Sequence, residues 1–194
     1  MPDSRLDSRP DTDDPAPGKP LAARPIALVG LMGVGKTTVG RRLAKALGRD
    51  FVDSDEEIER ASGRTVAGYF RDHGEAAFRD GERRVIERLL GEDGRVLATG
   101  GGAFIHPETR ALLLERALVI WLKGDLNTLV ERVSRNDKRP LLRGVDKREK
   151  MASLMRERNP LYAHAHINVK IARGPHLRTV NRVLKAIEAV KGTS

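Results

Sequence analysis

The run Gly30-Leu31-Met32-Gly33-Val34-Gly35-Lys36-Thr37 sets glycines, an ammonium group and a hydroxyl in the spacing G-x-x-x-x-G-K-[ST]. That spacing suits a polyphosphate. Glycines let backbone N–H groups face phosphate oxygens with no Cβ in the way. Lys36 brings a positive charge to the β and γ phosphates, and the Thr37 hydroxyl is placed to ligate Mg²⁺. The flanks agree: Ile26–Val29 is a short apolar run of strand type, and residues 38–47 carry apolar side chains at Val39, Leu43 and Leu47, a helical spacing. The N-terminus of such a helix adds partial positive charge at the same place. A nucleoside triphosphate follows, bound by Gly33, Val34, Gly35, Lys36, Thr37 and Thr38. What receives the phosphoryl group does not.

Three further constellations carry chemistry. Asp53-Ser54-Asp55 puts two carboxylates at i and i+2 at the end of a second strand. One can hold Mg²⁺ through water while the other meets an acceptor hydroxyl. Ser54 or Asp55 ahead of Glu56 and Glu57 is equally a helix N-cap, and both readings stand. Gly100-Gly101-Gly102 follows an apolar strand, which marks either a plain turn or a close backbone approach to a ligand. Arg79 has Glu82 three residues on, near enough on one helix face to orient it. Arg139 precedes Pro140-Leu141-Leu142, and Arg158 precedes Asn159-Pro160-Leu161-Tyr162. Taken singly, each arginine is by default a solvated surface group.

The elements that must position these residues alternate in type. Strand-like segments at 26–29, 50–53, 95–99, 117–122 and 167–171 are separated by helical ones, and a last helix runs from about 177 to 191. Such alternation predicts βαβ units, a parallel sheet covered on both faces, and right-handed crossovers. Residues 136–146 are polar and broken by Pro140 and Gly144, the pattern of a mobile loop. Residues 1–25 hold six of the ten prolines and five aspartates, with little apolar surface to offset ordering entropy. The predicted organisation is a structureless tail over 1–25 and one domain over 26–194.

Composition narrows the class. The 194 residues are enough for one α/β domain with a real core. The absence of cysteine excludes a disulfide framework and suits a reducing cytosol. No apolar run approaches the roughly 20 residues that span a bilayer, and the N-terminal stretch has no apolar h-region. The net charge is +9, of which residues 132–158 contribute +6. With one Trp, two Tyr and four Phe there is no base-stacking platform. A basic lid over phosphates therefore explains the charge better than a nucleic-acid groove. The expectation is a cytoplasmic, monomeric enzyme acting on a small molecule, without nucleic acid or membrane.

Together these pieces resemble the shikimate kinases over residues 26–190. The matching stretches are GLMGVGKTTVGRRLAK (30–45), FVDSD (51–55), GEAAFRDGE (74–82), GGG (100–102), RPLL (139–142) and RNPLY (158–162). The phosphate loop is common to many NTPases; the whole set in this order is specific. The resemblance implies a nucleoside monophosphate kinase fold, a five-stranded parallel sheet in the order 2-3-1-4-5, and phosphorylation of the 3-hydroxyl of shikimate by ATP with Mg²⁺. It implies that Lys36 contacts the β and γ phosphates, that Thr37 and Asp53 hold the metal, and that Asp55 meets the reacting hydroxyl. Arg79 and Arg158 would grip the substrate carboxylate, with Gly101 and Gly102 offering backbone amides. Arg132 would lie near the adenine, and Arg139 would arrive with a lid at about 136–146. The chain departs from the family at Asp80, where many relatives carry a second basic residue, and has Gly81 within that helix. A switch GTPase is excluded by the lack of N-K-x-D. The alternative is another small-metabolite kinase of gluconate-kinase type.

Overall fold

A computed structural model of the chain describes residues 20–92, 94–134, 146–172 and 174–191. Five strands, β1 (Ile26–Val29), β2 (Phe51–Asp53), β3 (Val96–Ala98), β4 (Leu118–Lys123) and β5 (Ile167–Lys170), form one sheet in the order β2-β3-β1-β4-β5. Every pairing is parallel, with Ile26 in register with both Val96 and Leu118. This is the order the sequence resemblance implied. The central strands β1 and β3 are buried throughout and β4 up to Leu122. Strands covered on both faces read as unbroken apolar runs, which is how these segments read. The edge strand β5 alternates, with Ile167 and Val169 inward and Asn168 and Lys170 outward.

The helices are α1 (Lys36–Leu47), α2 (Ser54–Ser62), α3 (Val66–Leu90), α4 (Pro107–Arg116), α5 (Leu126–Ser134), α6 (Lys147–Tyr162) and α7 (His176–Lys191). They fill the crossovers a parallel sheet demands. α1 packs on α7, α5 on α6 and α2 on α3. α3 is bent: Gly74, at φ 81° and ψ 173°, leaves the helical region and divides the helix. Arg79 and Glu82 stand on its second half. The interior is mostly aliphatic, with one aromatic stack across it: Tyr162 lies between Phe104 (centroids 6.2 Å apart) and Trp121 (5.9 Å).

Residues 20–25, which the sequence assigns to the tail, are built into the domain. Leu21–Ala23 form a 3₁₀ turn. The Leu118 N–H donates to the Pro25 carbonyl (2.8 Å), and Arg24 Nη1 donates to the Glu115 carbonyl (2.5 Å). Leu21 packs against the core beside α7, and carbonyls and a guanidinium supply the remaining ties. The loop and lid expected at 136–146 lie outside the described residues, apart from Asp146, which caps α6.

Three chain segments leave the carboxyl end of the sheet side by side. They are the loop after β1, the Asp53 end of β2 and the glycine turn after β3. The carboxyl ends of parallel strands are where this architecture forms its ligand crevice.

Candidate active site

α1 starts at Lys36, two residues before the sequence pattern put it, with Gly35 as its N-cap in the left-handed region. No side chain caps this end and its first turn holds no acid. Its leading amides are therefore available to an anion. Gly33, Val34 and Gly35 form the loop, and Thr38 is exposed in the first turn of the helix. Lys36 folds back over the loop, where its Nζ donates to the carbonyls of Gly30 (2.7 Å) and Leu31 (3.2 Å). Arg132, on α5, reaches the same loop and donates from Nη1 to the carbonyls of Val34 (3.2 Å) and Gly33 (3.4 Å).

Asp53 joins two elements. Its Oδ2 accepts the Thr37 hydroxyl (2.8 Å) and its Oδ1 accepts the backbone N–H of Asp55 (3.1 Å). The cap of α2 is thus Asp53, not Ser54 or Asp55, and the same carboxylate faces the phosphate loop. The helix start expected here is present, with the cap one residue earlier than the sequence placed it. Ser54, released from capping, is fully buried and accepts the Gly100 N–H on its Oγ (3.1 Å). Asp55, in the first turn of α2, has its pKa raised by burial and by the neighbouring Asp53 charge, while Lys36 and Arg79 act in the opposite sense.

The glycine turn gathers the rest. A Cβ on Gly100 would stand 2.6 Å from Asp55 Oδ1 and 3.0 Å from Glu82 Oε1. One on Gly102 would stand 2.5 Å from Arg79 Nη2. Side chains there would displace the carboxylates and the guanidinium, so the turn's glycines answer to close approach. Arg79 Nη1 donates to Glu82 Oε2 at 2.6 Å, and Glu82 is 1% exposed. Burial raises the Glu82 pKa and the Arg79 guanidinium opposes it. Arg79 also lies over the rings of Phe78 (5.4 Å) and Phe70 (5.5 Å). From α6, Arg158 Nη1 and the Tyr162 hydroxyl both donate to the Gly101 carbonyl, at 3.2 and 2.6 Å. The Nε of Arg158 is buried without a hydrogen-bond partner among the described residues. Gly101 itself approaches the phosphate loop: its Cβ position lies 3.6 Å from the Met32 nitrogen and 3.8 Å from the Gly30 carbonyl.

The structure thus brings Asp55, Arg79, Gly101, Gly102 and Arg158 to one turn, and sets that turn against the loop that leads into Lys36 and Thr37, with Asp53 beside Asp55 and Arg132 on the loop's carbonyls. Arg139 lies outside the described residues. Three contacts have no counterpart in the sequence patterns. Ser54 holds Gly100, Tyr162 holds Gly101, and the His176 ring abuts Gly35, with Cε1 2.9 Å from its Cβ position. His176 has its pKa lowered by burial, with Arg132 and Arg42 adding to it, and its Nδ1 is buried without a hydrogen-bond partner among the described residues. Among the described residues no group of three or more His, Cys, Asp or Glu side chains could hold a metal ion. The Thr37 hydroxyl and the Asp53 carboxylate pair beside the phosphate loop, a hard donor set that fits Mg²⁺ bound with a nucleotide. No described helix is long and apolar enough to cross a membrane.

The comparisons agree with this geometry. A gluconokinase from Sinorhizobium meliloti aligns at a TM-score of 0.57 and 18% identity, over 87% of this chain and 93% of that one, a likeness of fold alone. The shikimate kinase from Acinetobacter baumannii, solved in complex with shikimate, aligns at a TM-score of 0.82 and 39% identity, covering 87% of this chain and 95% of that one. The shikimate kinase of Caulobacter vibrioides is 54% identical over 168 residues, 87% of this chain and 84% of the relative. That of Novosphingobium aromaticivorans is also 54% identical, over 85% of this chain and 88% of the relative. The family model described as shikimate kinase matches residues 32–188. With the phosphate loop, the acidic pair and the arginine-lined glycine turn in one crevice, the chain belongs to the shikimate kinase family.

Proposed function

We propose that the chain transfers the γ-phosphoryl group of ATP to the 3-hydroxyl of shikimate, giving shikimate 3-phosphate and ADP on the route to chorismate. The observation that carries this is the convergence of Asp55, Arg79 and Arg158 on the glycine turn that adjoins the phosphate loop. The convergence supplies two guanidiniums for a carboxylate and one carboxylate for a hydroxyl, within reach of a polyphosphate cradle.

The steps follow from the groups present. Arg79 and Arg158 bind the substrate carboxylate, for which forked donors are suited. Gly101 and Gly102 offer their amides to the same molecule. The phosphates of ATP lie on the amides of Gly33, Val34, Gly35, Thr37 and Thr38. Lys36 exchanges its two loop carbonyls for the β and γ phosphate oxygens, a better partner for an ammonium. Thr37 and Asp53 hold Mg²⁺, which when bound offsets phosphate charge. Asp55 accepts the proton of the 3-hydroxyl as its oxygen forms a bond to the γ phosphorus, and the bond from that phosphorus to the β–γ bridging oxygen breaks, releasing ADP. Arg132 lies beside the nucleotide. Arg139 enters the reading from the sequence resemblance alone, as a further charge on the transferred group. Phosphoryl transfer asks chiefly for such positioning and charge stabilisation. The enzyme acts in the cytoplasm, as a monomer, without nucleic acid or membrane.

An assay that couples ADP release to NADH oxidation tests the proposal. ADP release is expected with shikimate and not with gluconate or with no acceptor. Equal release without an acceptor would make the chain an ATPase, and release with gluconate alone would favour the alternative kinase.

A further inference from the structure

Tyr162 belongs to none of the roles above, yet it touches the acceptor turn at its centre. Its ring is buried and stacked between Phe104, which follows the glycine turn, and Trp121. Trp121 in turn approaches the phosphate loop: its Cδ1 is 3.3 Å from the Cβ position of Gly30. The Tyr162 hydroxyl donates to the Gly101 carbonyl at 2.6 Å, a shorter bond than the 3.2 Å from Arg158 Nη1 to the same oxygen. Burial raises the phenol pKa far above neutrality, so the hydroxyl stays a donor at working pH.

Two donors on one carbonyl oxygen share its lone pairs. The tyrosine ring is buried against Phe104 and Trp121, whereas the guanidinium is part of the proposed substrate grip. With the hydroxyl holding the turn, the longer bond from Arg158 Nη1 is not the sole anchor of the Gly101 carbonyl. The peptide plane that carries the Gly101 carbonyl also carries the amide of Gly102, so fixing one orients the other.

We propose that Tyr162 is a positioning residue for the acceptor site. Its hydroxyl fixes the Gly101 carbonyl, and so the Gly102 amide and the Arg158 guanidinium, in the arrangement that receives the substrate carboxylate. This rests on the shikimate reading above.

Tyr162→Phe keeps the stack and deletes only the hydroxyl. The shikimate KM is expected to rise about three- to tenfold, the range of one neutral hydrogen bond. The ATP KM and the melting temperature are expected to stay near the parent values. In an Arg158→Ala background the same change should raise KM by less than twofold, because the group through which Tyr162 acts has gone. Three results overturn the proposal: a Phe variant with the parent's shikimate KM, an ATP KM that rises in step with it, or a melting temperature lowered by more than about 10 °C, which makes Tyr162 a folding residue. Full additivity with Arg158→Ala also overturns it. Failure of the underlying reading is seen separately, as an Arg158→Ala variant whose shikimate KM does not change.

Discussion

At the scale of single residues, the proposed function assigns binding and chemistry to different side chains, and kinetics can separate them. Arg79 is held by the buried Glu82, and Arg158 by the Gly101 carbonyl. Neither has a phosphate-loop partner among its hydrogen bonds. Replacing either by Ala is expected to raise the shikimate KM tenfold or more while the ATP KM holds, since a charge-assisted bond is worth about 1.5–3 kcal/mol. Steady-state kinetics in both substrates checks this; an equal rise in both would contradict it. Asp55→Asn keeps the shape and loses the charge to which the proposed reaction gives the hydroxyl proton. It is expected to lower kcat about 100-fold or more with little change in shikimate KM. Lys36→Ala removes the ammonium now lodged on Gly30 and Leu31. Loss of transfer with an unchanged melting temperature is the expected outcome, and near-normal turnover would take the loop out of the mechanism.

At the scale of elements, much was legible. The glycine spacing with its flanking strand and helix located the loop between β1 and α1, and unbroken apolar runs located β1, β3 and β4. These are local signals, read within a few residues. What stayed hidden depends on elements meeting. Ser54 and Gly100 are 46 positions apart, and Tyr162 and Gly101 are 61 apart. No periodicity encodes such pairs. Asp53, rather than a neighbour, caps α2 because the chain turns into the helix one residue sooner than the acidic run suggests. His166, beside β5, shows a similar reach: its Nδ1 accepts the backbone N–H of Val119 in β4 (3.0 Å). Partial burial and the Arg24 charge lower its pKa below the ordinary 6.5, and His176 is shifted in the same direction. Above pH 6.5 both rings are neutral folded or unfolded, and their contribution is intact. Below it the unfolded chain takes up protons that the fold resists, so stability falls with falling pH until the folded values are passed. His166→Asn retains an acceptor and cannot titrate. Melting curves from pH 7.5 to 5 are expected to fall less steeply for this variant, by a few degrees at most, since the ring is only partly covered. Identical slopes would contradict the assignment.

At the scale of the whole molecule, the sheet acts as a frame whose carboxyl edge sets the loop after β1 and the glycine turn after β3 side by side. The sheet order, implied by family resemblance, is what makes the ends of β1, β2 and β3 neighbours. Residues 20–25 are part of this frame, since the Pro25 carbonyl serves Leu118 at the start of β4. Removing residues 1–19 is expected to leave melting temperature and turnover unchanged, on composition alone. Removing residues 1–25 is expected to lower the melting temperature by about 2–4 °C, the effect of roughly 1 kcal/mol in a domain near this size. Equal melting temperatures for the two truncations would count against the docked segment. The central claim is that two arginines at the glycine turn select an acid whose distant hydroxyl is phosphorylated. It is tested most directly by comparing kcat/KM for shikimate with that for its neutral carboxamide. The parent enzyme is expected to prefer the acid at least tenfold, and the Arg79→Ala/Arg158→Ala double variant to lose most of that preference. Equal phosphorylation of acid and amide by the parent enzyme would contradict the account.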